Sequence, residues 1–427
     1  MTSRGASAEE LGRKIVTRAA ECAVIGLGTV GSTVLHAMLA AGFRVYGYDR
    51  DPDVVSTCRA RTALLFPSLT ELWDVGTAFE PASNADVVCI AVRVHVEGEL
   101  CNMEPLESVA EMLSATRPRE RLIIIGSTVP AGTTRRFAEK WMELDETSPV
   151  FVAHCPERLS VGDDWRTRRH LPLLVGALDP LAAALARAFL ETFADRIVSV
   201  SEPEVSEVSK LLENAFASIN IALIAEIGQI APELNITATE VCRAAGTKTS
   251  GYLPFLPGPG VGGHCLPNDL ELLRHSLKTR GQSTSLIDAA RITISRMPDN
   301  VVAHFSRLLV RAGHCVAGSK VLLVGIGFKP GCADTSMSPA FSVVRSLRIK
   351  RATPVYFDTQ APSFTVDGEA VERISVDQLR SMTFPGAIVL AGDRNLDTAC
   401  LQNAAEVILD TGGAHILPGE ALNCETL

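Results

Sequence analysis

The thirteen residues Pro257-Gly-Pro-Gly-Val-Gly-Gly-His-Cys-Leu-Pro-Asn-Asp269 hold the side chain with the strongest claim to covalent chemistry, Cys265. Glycine and proline crowd it too densely for a core strand or helix, so Cys265 stands on a loop. The stretch Asp269-Leu-Glu-Leu-Leu273 reads as a helix starting just after it. A cysteine near a helix N-terminus is favoured as the thiolate, its nucleophilic form. The ordinary reading of a lone cysteine is a small buried hydrophobe, and it suits most of the eleven cysteines here. Their odd number, their scatter and the lack of a Cys-x-x-Cys pair fit reduced cytosolic thiols better than disulfides or zinc, and no metal is expected.

Lys210 and Asn214 lie four residues apart in a helical run and share a face. A lysine beside an amide can stabilise an oxyanion, although the same spacing also suits a solvated helix face. Ser127-Thr128-Val129-Pro130 follows a predicted strand, and Thr128 either faces a ligand crevice or caps a loop. Glu157 and Arg158, in Cys155-Pro-Glu-Arg, offer a carboxylate near that crevice; the plain alternative for Glu157 is a surface ion pair.

These groups need elements to hold them. Glu21-Cys-Ala-Val-Ile25 reads as a strand running into Gly26-x-Gly28-x-x-Gly31, with Thr29 and Val30 inside the turn, then a helix to Ala41. A second strand from Arg44 ends in Asp49 and Arg50. Strand, glycine turn, helix and acid-ended strand make a dinucleotide-binding unit, in which the glycines admit a pyrophosphate to the helix N-terminus. Asp49 favours NAD by accepting from the ribose hydroxyls, while Arg50 leaves NADP open. Strands predicted at Asp86–Val92 and Arg121–Gly126 extend a doubly wound parallel sheet. A helix of about thirty residues follows Pro203 and ends near Pro232, ~45 Å long and suited to joining domains. A second sheet begins at Lys320-Val-Leu-Leu-Val324 and continues near Pro354, Ala387 and Val407.

The fold class is therefore α/β: an N-terminal Rossmann domain over 21–200, a central helical domain with one long helix over 201–315, and a C-terminal Rossmann-like domain over 316–427. Residues 1–20 read as a flexible extension without the apolar core of a secretory signal. The longest apolar run, around Ile219–Ile230, is interrupted by Glu226 and Gln229, so no membrane span is expected. A net charge of −9 argues against nucleic acid as a partner.

In their order along the chain these motifs resemble the family of UDP-glucose, GDP-mannose and UDP-N-acetylhexosamine dehydrogenases, from about Cys22 to Asp410. The branch acting on UDP-N-acetylglucosamine and UDP-N-acetylmannosamine is the more similar. Pro156-Glu-Arg158, Leu211-Leu-Glu-Asn-Ala-Phe216, Asn220-Ile-Ala-Leu223, Thr247-Lys248, Pro254-Phe255, Ala290-Arg291 and Met297-Pro298 carry that likeness. The resemblance implies that Cys265 is the nucleophile in a two-step oxidation of a sugar alcohol to the acid by NAD. It implies that Lys210 and Asn214 stabilise oxyanions, and that Thr128, Glu157 and Asp269 hold water or move protons. It further implies that Gly262 and Gly263 lie against the sugar, with Arg158 and Lys248 among the substrate contacts. Phe328-Lys329 opens the nucleotide-binding domain, Val92 lines the cofactor, and the long helix builds a homodimer or higher oligomer.

Some motifs depart from the family pattern. Val-Pro-Thr-Pro becomes Val92-Arg-Val-His95; the arginine expected after Phe328-Lys329-Pro330 is replaced by Ser336; and Asp-Thr-Arg-Asn becomes Asp410-Thr-Gly-Gly413. An altered substrate accounts for these changes, weakened function is the alternative, and Arg394 is a candidate substitute cation. A β-hydroxyacid dehydrogenase would share Lys-x-x-x-Asn but would explain neither the Cys265 loop nor the third domain. A catalytically silent relative would be expected to have lost Cys265, Lys210, Asn214 or Asp269, and all four remain.

Overall fold

The computed structural model describes residues 3–115, 120–141, 149–159, 164–393, 396–412 and 424–427. The chain begins with a helix, α1 (Ser3–Val16), and not with the flexible extension expected of residues 1–20. Ala8, Leu11 and Ile15 recur at helical spacing and are buried in the first hydrophobic core. Three apolar residues in a polar segment are easily overlooked, yet their spacing is enough to dock a helix. Polar ties fix it, with Arg4 on Asp179 at 2.6 Å, Ser7 on Glu120 at 2.6 Å and Lys14 on Asp86 at 3.0 Å.

The contacts divide the chain into two compact units, Met1–Glu213 with Glu271–Gly281, and Asn214–Leu270 with Gln282–Leu427. The first holds β1 (Glu21–Ile25), α2 (Thr29–Ala40), β2 (Arg44–Tyr48), β3 (Trp73–Gly76), β4 (Val87–Ile90), α3 (Glu104–Ser114), β5 (Arg121–Ile125), β6 (Val150–His154), β7 (Leu173–Ala177) and β8 (Ile197–Ser199). Its sheet runs β8-β7-β6-β5-β4-β1-β2-β3. Every pair is parallel except β6 with β7, where Ala153 and Ala177 pair antiparallel. The strands are nearly continuous apolar runs because both faces are covered: Val24, Cys22 and Cys89 face one core, Ala23, Ile25 and Ile90 the other. Strand order reverses between β1 and β4, which opens a crevice at the strands' carboxyl ends.

The helix α4 (Pro203–Ile230) passes from the first unit into the second. With its terminal turn it is long and apolar enough, by length and composition, to cross a membrane, contrary to the reading of residues 219–230 alone. Only 28% of its most apolar window is buried, and Leu212, Phe216, Leu223 and Ile230 are exposed. The second unit contains the start of α5 (Cys265–Lys278), then α6 (Ser285–Arg311), β9 (Lys320–Val324), β10 (Thr353–Phe357), β11 (Glu372–Arg373), β12 (Gly386–Val389), β13 (Ile408–Asp410) and β14 (Cys424–Thr426). Its sheet is wholly parallel, in the order β11-β10-β9-β12-β13-β14. Phe305 and Leu309 of α6 press on Gly386, where a Cβ would come within 2.7 Å of the Phe305 ring.

Candidate active site

In the first unit the turn from β1 to α2 has the shape that a pyrophosphate requires. Gly26 takes φ +92°, and a Cβ there would lie 2.7 Å from the Ala91 carbonyl oxygen. At Gly31 a Cβ would lie 1.7 Å from the Gly26 oxygen, so only glycine lets α2 approach β1. Gly28 differs: nothing lies within 4 Å of its Cβ position, and as N-cap it makes no side-chain hydrogen bond to the helix. The open N-terminus at Thr29, Val30 and Gly31 is thus a ready anion site. Asp49, at the end of β2, accepts from Leu27 N at 2.8 Å and Asp51 N at 3.0 Å, which orients its carboxylate at the turn. Gly26, Gly28, Asp49, Arg50, Val92, Arg93 and Met112 line a crevice of about 300 Å³. These residues fit the dinucleotide expected there. Arg50 stands 3.7 Å from Glu104 and is mostly exposed.

Also in the first unit, Thr128 is half-buried in the loop after β5. That loop is pinned from several sides. Glu207 of α4 accepts from Gly132 N at 2.6 Å and Thr134 N at 2.7 Å, while burial pushes its carboxyl above the ordinary range. Ser276 of α5 accepts from Ala131 N at 3.0 Å. Buried His154 contacts Ser206 at 2.8 Å and the Ser127 carbonyl at 3.3 Å, and burial lowers its pKa to about 4. Lys210 lies on the same helix, half-buried.

Glu157 is no surface ion pair. It is 8% exposed and accepts from Arg168 Nε at 2.6 Å, with Arg168 only 3% exposed. Its other oxygen accepts from Arg158 N at 2.8 Å. The Arg158 guanidinium, expected among the substrate contacts, is engaged by Glu213 at 2.7 Å and the Pro172 carbonyl at 2.8 Å. It braces its loop against α4.

In the second unit Cys265 is the first residue of α5 and is exposed. That position concentrates the partial positive charge of a helix N-terminus. Asn214 Nδ2 donates to Asp269 Oδ2 at 2.5 Å, so two of the expected residues meet directly. Gly262 and Gly263 fold onto Phe328: a Cβ on Gly262 would lie 2.7 Å from Phe328 Cβ, and Gly263, at φ +72°, has the ring 3.0 Å from its Cβ position. Ser336 takes part in this loop through its carbonyl, which accepts from Gly263 N at 3.2 Å, while its own N–H is held by Asp334 at 2.7 Å. Lys329 is exposed beside Phe328. Lys248 is exposed, its N–H donates to the Ala245 carbonyl at 3.2 Å, and a Cβ built on Gly251 would lie 3.9 Å from its Nζ. Arg394 and Gly413 lie outside the described residues. Sequence reasoning missed Glu207 and His154 because their partners lie more than fifty residues along the chain, and Arg168 because nothing local marks its pairing with Glu157 eleven residues back.

The dinucleotide turn, its crevice and the separate cysteine loop define an NAD-dependent dehydrogenase. The chain belongs to the UDP-glucose/GDP-mannose dehydrogenase family, whose NAD binding domain matches residues 20–194 and whose central domain matches residues 204–293. A UDP-N-acetyl-D-mannosamine dehydrogenase of Methanocaldococcus jannaschii is 29% identical over 416 residues, 91% of either chain. An NDP-N-acetyl-D-galactosaminuronic acid dehydrogenase of Ralstonia solanacearum is 27% identical over 91% of this chain and 95% of its own. The fold matches that of a UDP-D-ManNAc dehydrogenase from Pyrococcus horikoshii with a TM-score of 0.83, at 24% identity, over 95% of this chain and 98% of the other. The protein is a nucleotide-sugar dehydrogenase.

Proposed function

We propose that the protein oxidises the C6 alcohol of a UDP-N-acetylhexosamine to the carboxylate through covalent intermediates on Cys265. The observation that carries this reading is Cys265 itself, exposed as the first residue of α5, just after a loop closed on Phe328 by two glycines that admit no side chain. NAD would supply the hydride acceptor, one molecule for each of the two oxidations. Cys265 Sγ adds to the intermediate aldehyde, which would otherwise escape, giving a thiohemiacetal and then a thioester. Lys210 and Asn214 stabilise the oxyanions, and Asn214 is oriented for this by Asp269. Thr128, Glu157 and Asp269 position water and take its proton as the thioester hydrolyses, releasing the Cys265 thiol.

Gly262, Gly263, Phe328, Lys329 and Lys248 form the substrate set. The three-part division at residues 200 and 315 is the functional one, with the nucleotide sugar held by residues 316–427. The exposed apolar residues of α4 are buried against a second copy in a cytoplasmic homodimer or higher oligomer. Absorbance at the NADH band across UDP-, GDP- and TDP-linked sugars tests the assignment. A kcat/KM for UDP-glucose above those for the acetylated sugars overturns the substrate.

A further inference from the structure

The Arg168–Glu157 pair has features that a simple structural ion pair lacks. Glu157 and Arg168 are both buried, and the contact uses Nε alone, at 2.6 Å. Arg–carboxylate pairs frequently present two parallel N–H groups, and this one does not. Here NH1 is buried and has no hydrogen-bond partner among the described residues. The cation is held instead over the Phe193 ring, 5.2 Å from its centroid. Arg168 and Glu157 together line a small cavity of about 20 Å³, whose other walls include Ala91, Gly126 and Cys155 at the ends of β4, β5 and β6. A cavity needs ~10–15 Å³ to hold one water, and that water needs polar partners. An orphan N–H and a carboxylate on its wall supply them.

We infer that Arg168 is a positioning residue for the hydrolytic step: it fixes Glu157 through Nε and anchors one buried water through NH1. The inference rests on the proposed role of Glu157 in thioester hydrolysis. In that step the attacking water's oxygen bonds to the thioester carbon, the C–S bond breaks, and Glu157 takes the water's proton. The anchored water satisfies NH1, which has no partner among the described residues. Losing Arg168 would leave a buried carboxylate without its cation and free to turn away from the attacking water.

The test compares wild type with Arg168→Met, Arg168→Lys and the double variant Glu157→Gln/Arg168→Met, in which no buried charge is left unpaired. Rapid-mixing NADH absorbance and intact mass are read together with a high-resolution diffraction structure. Wild type producing NADH and acid secures the underlying reading; its failure on every nucleotide sugar sinks that reading and leaves the water to be judged by diffraction. Arg168→Met should keep the first NADH burst, lose steady-state turnover by about a hundredfold, and accumulate a thioester adduct on Cys265. Arg168→Lys should recover part of the turnover at most, because an ammonium lacks the second arm. If the single Met variant does not fold, Arg168→Lys carries the test, with the burst kept, steady-state turnover reduced and the adduct on Cys265, while the double variant reports only whether the fold tolerates loss of the pair. The density should hold one water on Arg168 NH1. Burst and steady state slowed equally without adduct, turnover unchanged in any folded variant lacking Arg168, or an empty cavity overturns the inference.

Discussion

Two glycines of the dinucleotide turn should separate folding from cofactor binding. At Gly31 an added Cβ would lie 1.7 Å from the backbone oxygen of Gly26, so α2 and β1 must part by roughly 1.3 Å to reach the closest tolerated contact. Backbone cannot rotate aside as a flexible side chain can, and overpacking of this kind costs about 1–3 kcal/mol. At Gly28 a Cβ meets nothing within 4 Å, and the residue's φ of −61° suits alanine. Gly28→Ala should therefore leave stability unchanged or raise it by up to about 1 kcal/mol, through loss of unfolded-state freedom. The open space at Gly28 is where the pyrophosphate must come, so the added methyl should weaken NAD at least tenfold, about 1.4 kcal/mol. Urea midpoints and NADH fluorescence titrations on both variants measure the two effects. Gly28→Ala binding NADH as wild type does, or Gly31→Ala unfolding at the wild-type midpoint, would refute the reasoning.

Buried His154 protonates only near pH 4 when folded but near 6.5 when unfolded, so its contribution is complete above 6.5 and is lost as pH falls toward 4. That amounts to about 3 kcal/mol, and His154→Gln should flatten the acid limb of a urea-midpoint profile; an unchanged limb counts against it. His36, also lowered to about 4 by burial, contributes in the same direction. Glu207→Gln removes one of two acceptors for the Gly132 and Thr134 N–H groups and should cost about 1–3 kcal/mol in chemical denaturation. Ser336→Arg should lower the KM for a UDP-sugar about tenfold while leaving NAD affinity alone. Equal KM values for Ser336→Arg, Ser336→Ala and wild type would show that this position only closes the turn on Asp334.

Local composition made the reactive parts legible. Gly26 and Gly31 announce their turn because a backbone that must approach other backbone admits nothing larger there, and Gly28, open to solvent, completes the spacing. The Cys265 loop is visible for a similar reason, and the four-residue spacing from Lys210 to Asn214 needs only helix geometry. What stayed hidden depends on pairing across the chain. Nothing in Cys155-Pro-Glu-Arg reveals that Glu157 turns inward to meet Arg168, or that Arg158 is consumed by Glu213. The first helix was missed because three buried side chains among polar ones leave average polarity high. The antiparallel entry of β7 likewise depends on a connection whose route composition does not encode.

The central claim is that both oxidations occur before a covalent intermediate on Cys265 is released as acid. The most direct measurement is the ratio of NADH to uronic acid with the preferred UDP-sugar, made on wild type and Cys265→Ser side by side. Two NADH per acid from wild type, with no free aldehyde and no steady-state acid from the serine variant, is the predicted result. One NADH per sugar with aldehyde released by wild type, or acid formed at the wild-type rate by Cys265→Ser, would contradict it.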